Sequence, residues 1–183
     1  DGSDVMLAPA PAYDLDAAVR HLSEAAQLRT VSNQDPAANE VAEWDKLHAW
    51  LATTYPAAHA AMARTILPNR TLVYHWPGSD ASLAPIILMA HQDVVPVTPG
   101  TEADWKYPPF AGTIAEKAVW GRGTVDDKGS LVGLFEALDA LAKAGFKPKR
   151  GATMEFYGSD GDTDNKRKGE LRATLGPGGA LII

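Results

Sequence analysis

The sequence predicts an α/β fold, a mixed central sheet flanked by helices, and three observations carry that prediction. The run Pro85-Ile86-Ile87-Leu88-Met89-Ala90 is continuously apolar, which suits a strand buried on both faces. Ser130 to Ala144 then places Leu131, Leu134, Phe135, Leu138 and Leu141 on one helical face, ending at Gly145 with Pro148 beyond. Ala152 to Tyr157 returns to a strand pattern, and strand, helix and strand in that order form a crossover unit of a sheet covered by helices.

The remaining elements follow along the chain. Asp1 to Tyr13, with Pro9 and Pro11 among small residues, reads as a linker or processed amino-terminal segment. The start at Asp1 instead of Met points to a removed leader or an excised segment, and hence to an exported protein. From Asp14 to Leu28, Leu15, Ala18, Val19, Leu22 and Ala26 recur at helical spacing behind an Asp14 cap. A second helix follows Asp35-Pro36, its stripe of Val41, Trp44, Leu47, Leu51 and Tyr55 stopping at Pro56. Ala63–Leu67 and Thr71–Trp76 read as strands around the Pro68-Asn69 turn, and Pro77-Gly78-Ser79-Asp80 as the next loop. Between residues 96 and 112, Pro96, Pro99, Pro108 and Pro109 mark a long loop of functional character.

Composition narrows the function. With 183 residues, 45% hydrophobic and 22% charged, the chain can bury one substantial core. A net charge of -6 argues against nucleic acid as a partner. The absence of cysteine removes disulfides, thiolate metal sites and a cysteine nucleophile, leaving His, Asp and Glu as metal ligands. No apolar run reaches the 18 residues or so of a membrane span.

Two motifs carry chemistry. In Met89-Ala90-His91-Gln92-Asp93-Val94-Val95-Pro96, a histidine and an aspartate two residues apart leave the end of the buried strand. On extended backbone their side chains point the same way. A metal-bound imidazole works best when its other ring nitrogen donates to a carboxylate; a surface His beside an Asp is the plain alternative. The second motif, Gly121-Arg122-Gly123-Thr124-Val125-Asp126-Asp127-Lys128-Gly129-Ser130, sets two adjacent carboxylates before an apolar helix. Either could cap that helix with no metal involved. One cap needs only one carboxylate, so the other is available to bridge cations. His21, His48, His59 and His75 read as packing or surface residues without a carboxylate pattern around them, and Lys166 to Lys168 as solvated surface.

Together the two motifs, with Asp104-Trp105-Lys106-Tyr107-Pro108-Pro109-Phe110-Ala111-Gly112 between them, resemble the zinc metallopeptidase family of carboxypeptidase S, glutamate carboxypeptidase, aminoacylase and succinyl-diaminopimelate desuccinylase. The likeness runs from about Asp14 to Asp160 and is strongest to the carboxypeptidase S branch. The resemblance implies a partial co-catalytic zinc peptidase domain over residues 14–160, holding two zinc ions in the parent family. His91 would be a zinc ligand, Asp126 the carboxylate bridging the two ions, and Asp93 the catalytic residue orienting the site. Asp126-Asp127 would be joined by a non-proline cis peptide, Asp127 having no firmer role. The implied substrates are peptides or N-acyl amino acids, cleaved at an amide next to a free carboxylate.

The family's general base is the first of two adjacent glutamates after a strand, the second being a zinc ligand. Here the strand Thr153 to Asp160 runs into Gly161-Asp162-Thr163-Asp164-Asn165 with no such pair. Asp162 and Asp164, with Asp160 before them, are carboxylates that could be proposed to replace it, and aspartate is a methylene shorter. Residues 161–183 form a divergent tail, the switch of character expected of a truncated gene, a shifted frame or a rebuilt terminus. The expectation is therefore a fragment of a zinc metallohydrolase. Its rivals are an inactive or metal-binding remnant lacking the base, and an unrelated α/β binding protein with Asp126 as a helix cap. Sheet edges left bare, with Ile182 and Ile183, would favour homo-oligomers or aggregates.

Overall fold

A computed structural model describes residues 10–158 and the backbone of Ala180–Leu181, with the side chain of Asn69 left out. Helix α1 (Leu15–Gln27) starts where Asp14 accepts a hydrogen bond from the amide of Ala17 at 3.0 Å, satisfying one of the free amides of the first turn. Helix α2 (Ala42–Thr54) has Glu43 and Asp45 in its first turn, where negative charge opposes the helix dipole, and buries Trp44, Leu47, His48 and Leu51. Pro56 ends the stripe as expected but also opens a further short helix, α3 (Pro56–Ala61). Proline is tolerated at the first helical position because its missing N–H would be unpaired there anyway. The Ala58 amide donates to Asp139 at 2.9 Å, which fastens α3 to α4 (Lys128–Lys143).

The main sheet contains β1 (Ala63–Ile66), β2 (Leu72–Trp76), β3 (Ile86–His91), β6 (Ala152–Tyr157) and β7 (Ala180–Leu181) in the order β1-β2-β6-β3-β7. Strands β1, β2 and β6 pair antiparallel, while β3 lies parallel to β6 and to β7, so the sheet is mixed. The two-residue β7 lies in the tail, where no strand was expected. Strand β3 is less enclosed than its apolar run suggests. Ile87 and Ala90 are buried and the rest partly exposed, whereas five of the six β6 residues are buried. The crossover from β3 to β6 passes through the long loop, a small hairpin of β4 (Thr113–Ala115) and β5 (Ala118–Trp120), and α4. Helix α4 closes with Gly145 at φ 73°, Gly145 N–H bonding to Ala142 and Phe146 N–H to Leu141, which satisfies its last carbonyls.

Helices α1, α3 and α4 pack together, and the core gathers Leu47, Leu51, Tyr55, Leu131, Phe135 and Phe156 under them. Phe135 stacks on Tyr55 and on Phe156, with ring centroids 5.2 and 4.8 Å apart. Lys128 is fully buried and donates to the carbonyls of Ala25, at 2.9 Å, and Leu28, so the end of α1 is tied to the start of α4. That junction lies beside the carboxyl end of β3, where the two sequence motifs meet. No described helix is long and apolar enough to cross a membrane.

Candidate active site

Register places the site. Because His91 pairs with Tyr157 at the ends of the adjacent parallel strands β3 and β6, the chain leaves both strands at one edge of the sheet, the edge where open α/β sheets place ligands. There the imidazole of His91 is held from two sides. Its Nδ1 lies 3.0 Å from Asp93 Oδ1 and 3.1 Å from the Asp93 carbonyl, and its Nε2 lies 2.8 Å from Asp126 Oδ1. Asp93 is buried, whereas the Asp126 side chain is 88% exposed, so the Nε2 side of the ring faces an accessible carboxylate and the Nδ1 side an enclosed one. The hydrogen bond with Asp93 raises the His91 pKa to about 9, with Asp126 adding to the effect and burial opposing it.

The Asp126-Asp127 peptide is cis. Asp127 Oδ2 accepts the backbone amide of His91 at 3.1 Å, joining the two motifs directly. The helix-cap reading of these carboxylates is thereby corrected. Asp127 stands at the cap position of α4, but its side chain makes no hydrogen bond to the helix, because it is turned toward β3. The lysine that follows, Lys128, has its pKa pushed down to about 7 by burial, with Glu43 and Asp93 offsetting part of the effect.

His91, Asp93, Asp126 and Asp127 are therefore brought together, while Asp160, Asp162 and Asp164 lie outside the described residues. The donors present suit zinc: one imidazole nitrogen and one carboxylate oxygen converge, with the second ring nitrogen backed by a carboxylate. They are too few to enclose an ion, since among the described residues no three or more His, Asp or Glu side chains are arranged to hold one. Two contributors escaped sequence reasoning. Gln92, between the two motif residues, is fully buried, and Lys128 braces the second motif, yet neither type carries a metal signal. His21 departs from its bland reading, its Nδ1 lying 2.5 Å from Glu136, a partner 115 positions away in sequence.

A cleft of about 520 Å³ adjoins the loop that follows Asp93, lined by Arg29, Val31, Pro96, Val97 and Phe110 among others. The Arg29 guanidinium sits 4.6 Å from the Phe110 ring centre, and Arg122 sits 5.0 Å over Trp105, so the long loop is pinned by stacked cations.

Residues 87–159 match the family profile described as Peptidase family M20/M25/M40. Probable carboxypeptidase S-like 2 of Dictyostelium discoideum is 39% identical over 145 residues, which is 78% of this chain and 27% of that protein. N-fatty-acyl-amino acid synthase/hydrolase PM20D1 of Homo sapiens is 47% identical over 73 residues, 40% of this chain and 14% of that protein. The chain thus spans about a quarter of the length of the first of these relatives. Among solved structures, the M20 family metallo-carboxypeptidase Sso-CP2 from Sulfolobus solfataricus superposes with a TM-score of 0.68 at 18% identity, over 87% of this chain and 35% of that one. At that identity the likeness supports the fold.

Proposed function

Because the chain belongs to peptidase family M20/M25/M40, we propose that it carries part of the active site of a zinc-dependent hydrolase of amide bonds next to a free carboxylate. The observation that carries this reading is the imidazole held between a buried and an exposed carboxylate. Zinc bound there would lower the pKa of a water molecule and polarise the scissile carbonyl. In this reading His91 offers Nε2 as ligand, because Asp93 engages Nδ1 and fixes the tautomer. Asp126 offers an accessible carboxylate able to bridge two ions, and Asp127 fixes the His91 backbone by accepting its amide. The substrate class comes from the relatives' names, carboxypeptidase and N-fatty-acyl-amino acid hydrolase, which share an amide beside a carboxylate.

The test is a zinc titration followed by thermal unfolding, on the chain and on His91→Ala, with hydrolysis of an N-acyl amino acid assayed on the same samples. Stabilisation lost in the variant, together with turnover, supports the hydrolase reading and directs the search for the base to Asp160, Asp162 and Asp164. Stabilisation without turnover leaves a metal-binding module. No zinc response in either protein overturns a metal role for His91.

A further inference from the structure

The side chain between His91 and Asp93 makes three hydrogen bonds of its own. Side chains alternate along extended backbone, so Gln92 points away from the face that His91 and Asp93 share, into the interior. It is fully buried and all of its polar groups are engaged. Its backbone amide donates to Tyr157 at 2.9 Å, and its carbonyl accepts from Thr30 Oγ1 at 2.6 Å. Its side-chain Nε2 donates to two carbonyls, Arg70 at 2.9 Å and Phe156 at 2.8 Å. Those acceptors orient the amide, so Oε1 faces His48 Nε2 at 2.6 Å and the imidazole is the donor. Burial lowers the His48 pKa, which keeps that ring neutral.

The Asp93 backbone is bracketed as a consequence. Thr30 holds Gln92 through its hydroxyl and Val94 through its carbonyl, which accepts the Val94 amide at 2.9 Å. One residue thus connects β3 to β6, to the turn before β2, to α2 and to the segment after α1, while the residues on either side of it form the site. Outer contacts that fix the direction of a metal ligand matter because an imidazole free to turn binds metal far less tightly.

We propose that Gln92 and His48 are positioning residues of the candidate metal site, setting the direction of the His91 ring and the Asp93 carboxylate from the opposite face of β3. The proposal rests on the reading of His91 as a zinc ligand. It extends the site to a histidine on α2 that touches neither zinc nor substrate.

The experiment compares Gln92→Leu, His48→Leu and His48→Gln with Leu51→Ala, which opens a cavity in the same face of α2. Zinc affinity is measured by competition with a chromophoric chelator. The metal-free proteins are examined by nitrogen-15 NMR at a pH high enough for the His91 ring to be neutral, where its Nδ1–H bonded to Asp93 gives a distinct tautomer signal. Gln92→Leu and His48→Leu should weaken zinc binding about 10- to 100-fold and average the ring signal. His48→Gln, which keeps an N–H donor within reach of Oε1, should recover most of both. Leu51→Ala should change neither, despite lowering the melting temperature as much. Wild-type affinity and ring signal in the first two variants, or equal losses in Leu51→Ala, would overturn the proposal. Equal zinc binding by the wild type and His91→Ala would overturn the metal reading instead, and the ring signal alone would then decide the positioning role. If Gln92→Leu does not fold, the two His48 variants decide it.

Discussion

Zinc uptake at His91 should be coupled to the release of a proton. In the metal-free chain the hydrogen bond to Asp93 raises the His91 pKa to about 9. A ring nitrogen that binds metal cannot carry a proton, so below that pH zinc competes with a proton for Nε2. For one competing proton, the metal-ready fraction is about one hundredth at pH 7 and about one half at pH 9, so the apparent association constant should rise about 50-fold across that range. Chelator competition at fixed ionic strength measures the rise. Calorimetry in two buffers of different ionisation enthalpy counts the proton, expected to be about one per zinc at pH 7.5. Asp93→Asn, which removes the largest cause of the raised pKa, should flatten the pH dependence. Affinity that stays level from pH 7 to pH 9, with no proton released, would refute the reasoning, since the ring would then be neutral before the metal arrives.

The same groups shape the stability of the metal-free chain. The folded pKa of His91 lies above its ordinary 6.5, so its contribution is complete below that pH and is lost as pH climbs through about 9. His48 and His59 are pushed below 6.5 by burial and act in the opposite direction, costing stability as pH falls below that value. Lys128, its pKa depressed to about 7, gains stability as pH rises above that value and offsets the His91 loss. Melting in the presence of chelator should therefore fall on the acid side and stay level between about 7 and 9, and His91→Asn should turn that plateau into a rise; a profile unchanged by the substitution would refute the assignment. Gly123 sits at φ 87°, and an added Cβ would lie 2.3 Å from Val94 Cγ1, so Gly123→Ala should cost roughly 2–4 kcal/mol. Urea unfolding checks this, and an unshifted midpoint would show that the turn relaxes freely. Tyr55→Phe removes the hydroxyl that donates to Glu136 at 2.8 Å and should cost about 1–2 kcal/mol in the same assay.

The parts of the fold that sequence made legible are those whose signals are local and repetitive. Helices α1 and α4 announce themselves by apolar spacing and by residues such as Asp14 and Gly145 at their ends, and β3 and β6 by apolar runs. Helix α3 was hidden because Pro56 both stops one helix and starts the next, with no polar cap to distinguish the roles. The β4–β5 hairpin was hidden because its turn places Glu116 and Lys117 at φ 53° and 61°, where glycine or asparagine is the usual marker. In the site, His91 and Asp93 are neighbours in sequence, and their contact follows from strand alternation. The approach of Asp126, 35 positions away, came from the resemblance, because spacing alone left helix capping equally open. Gln92 and His48 had no signal, since a glutamine just past the end of a strand and a histidine on a helix face become partners only when tertiary packing brings them together.

The bonding of Gln92 also bears on how the chain reaches its native strand alignment. Shifting a strand by one residue exchanges its two faces, and an apolar run such as Ile86 to Ala90 would bury almost as well either way. The shift would push the His91 ring or the Asp93 carboxylate into the slot fitted to an amide, where the Arg70 and Phe156 carbonyls call for two donors and His48 Nε2 for an acceptor. Neither side chain supplies both, so the misaligned chain would leave buried polar atoms unpaired, at about 1–3 kcal/mol each. A glutamine with no part in chemistry thus acts as a check on assembly: only the alignment that satisfies it also sets the histidine and aspartate together on the opposite face.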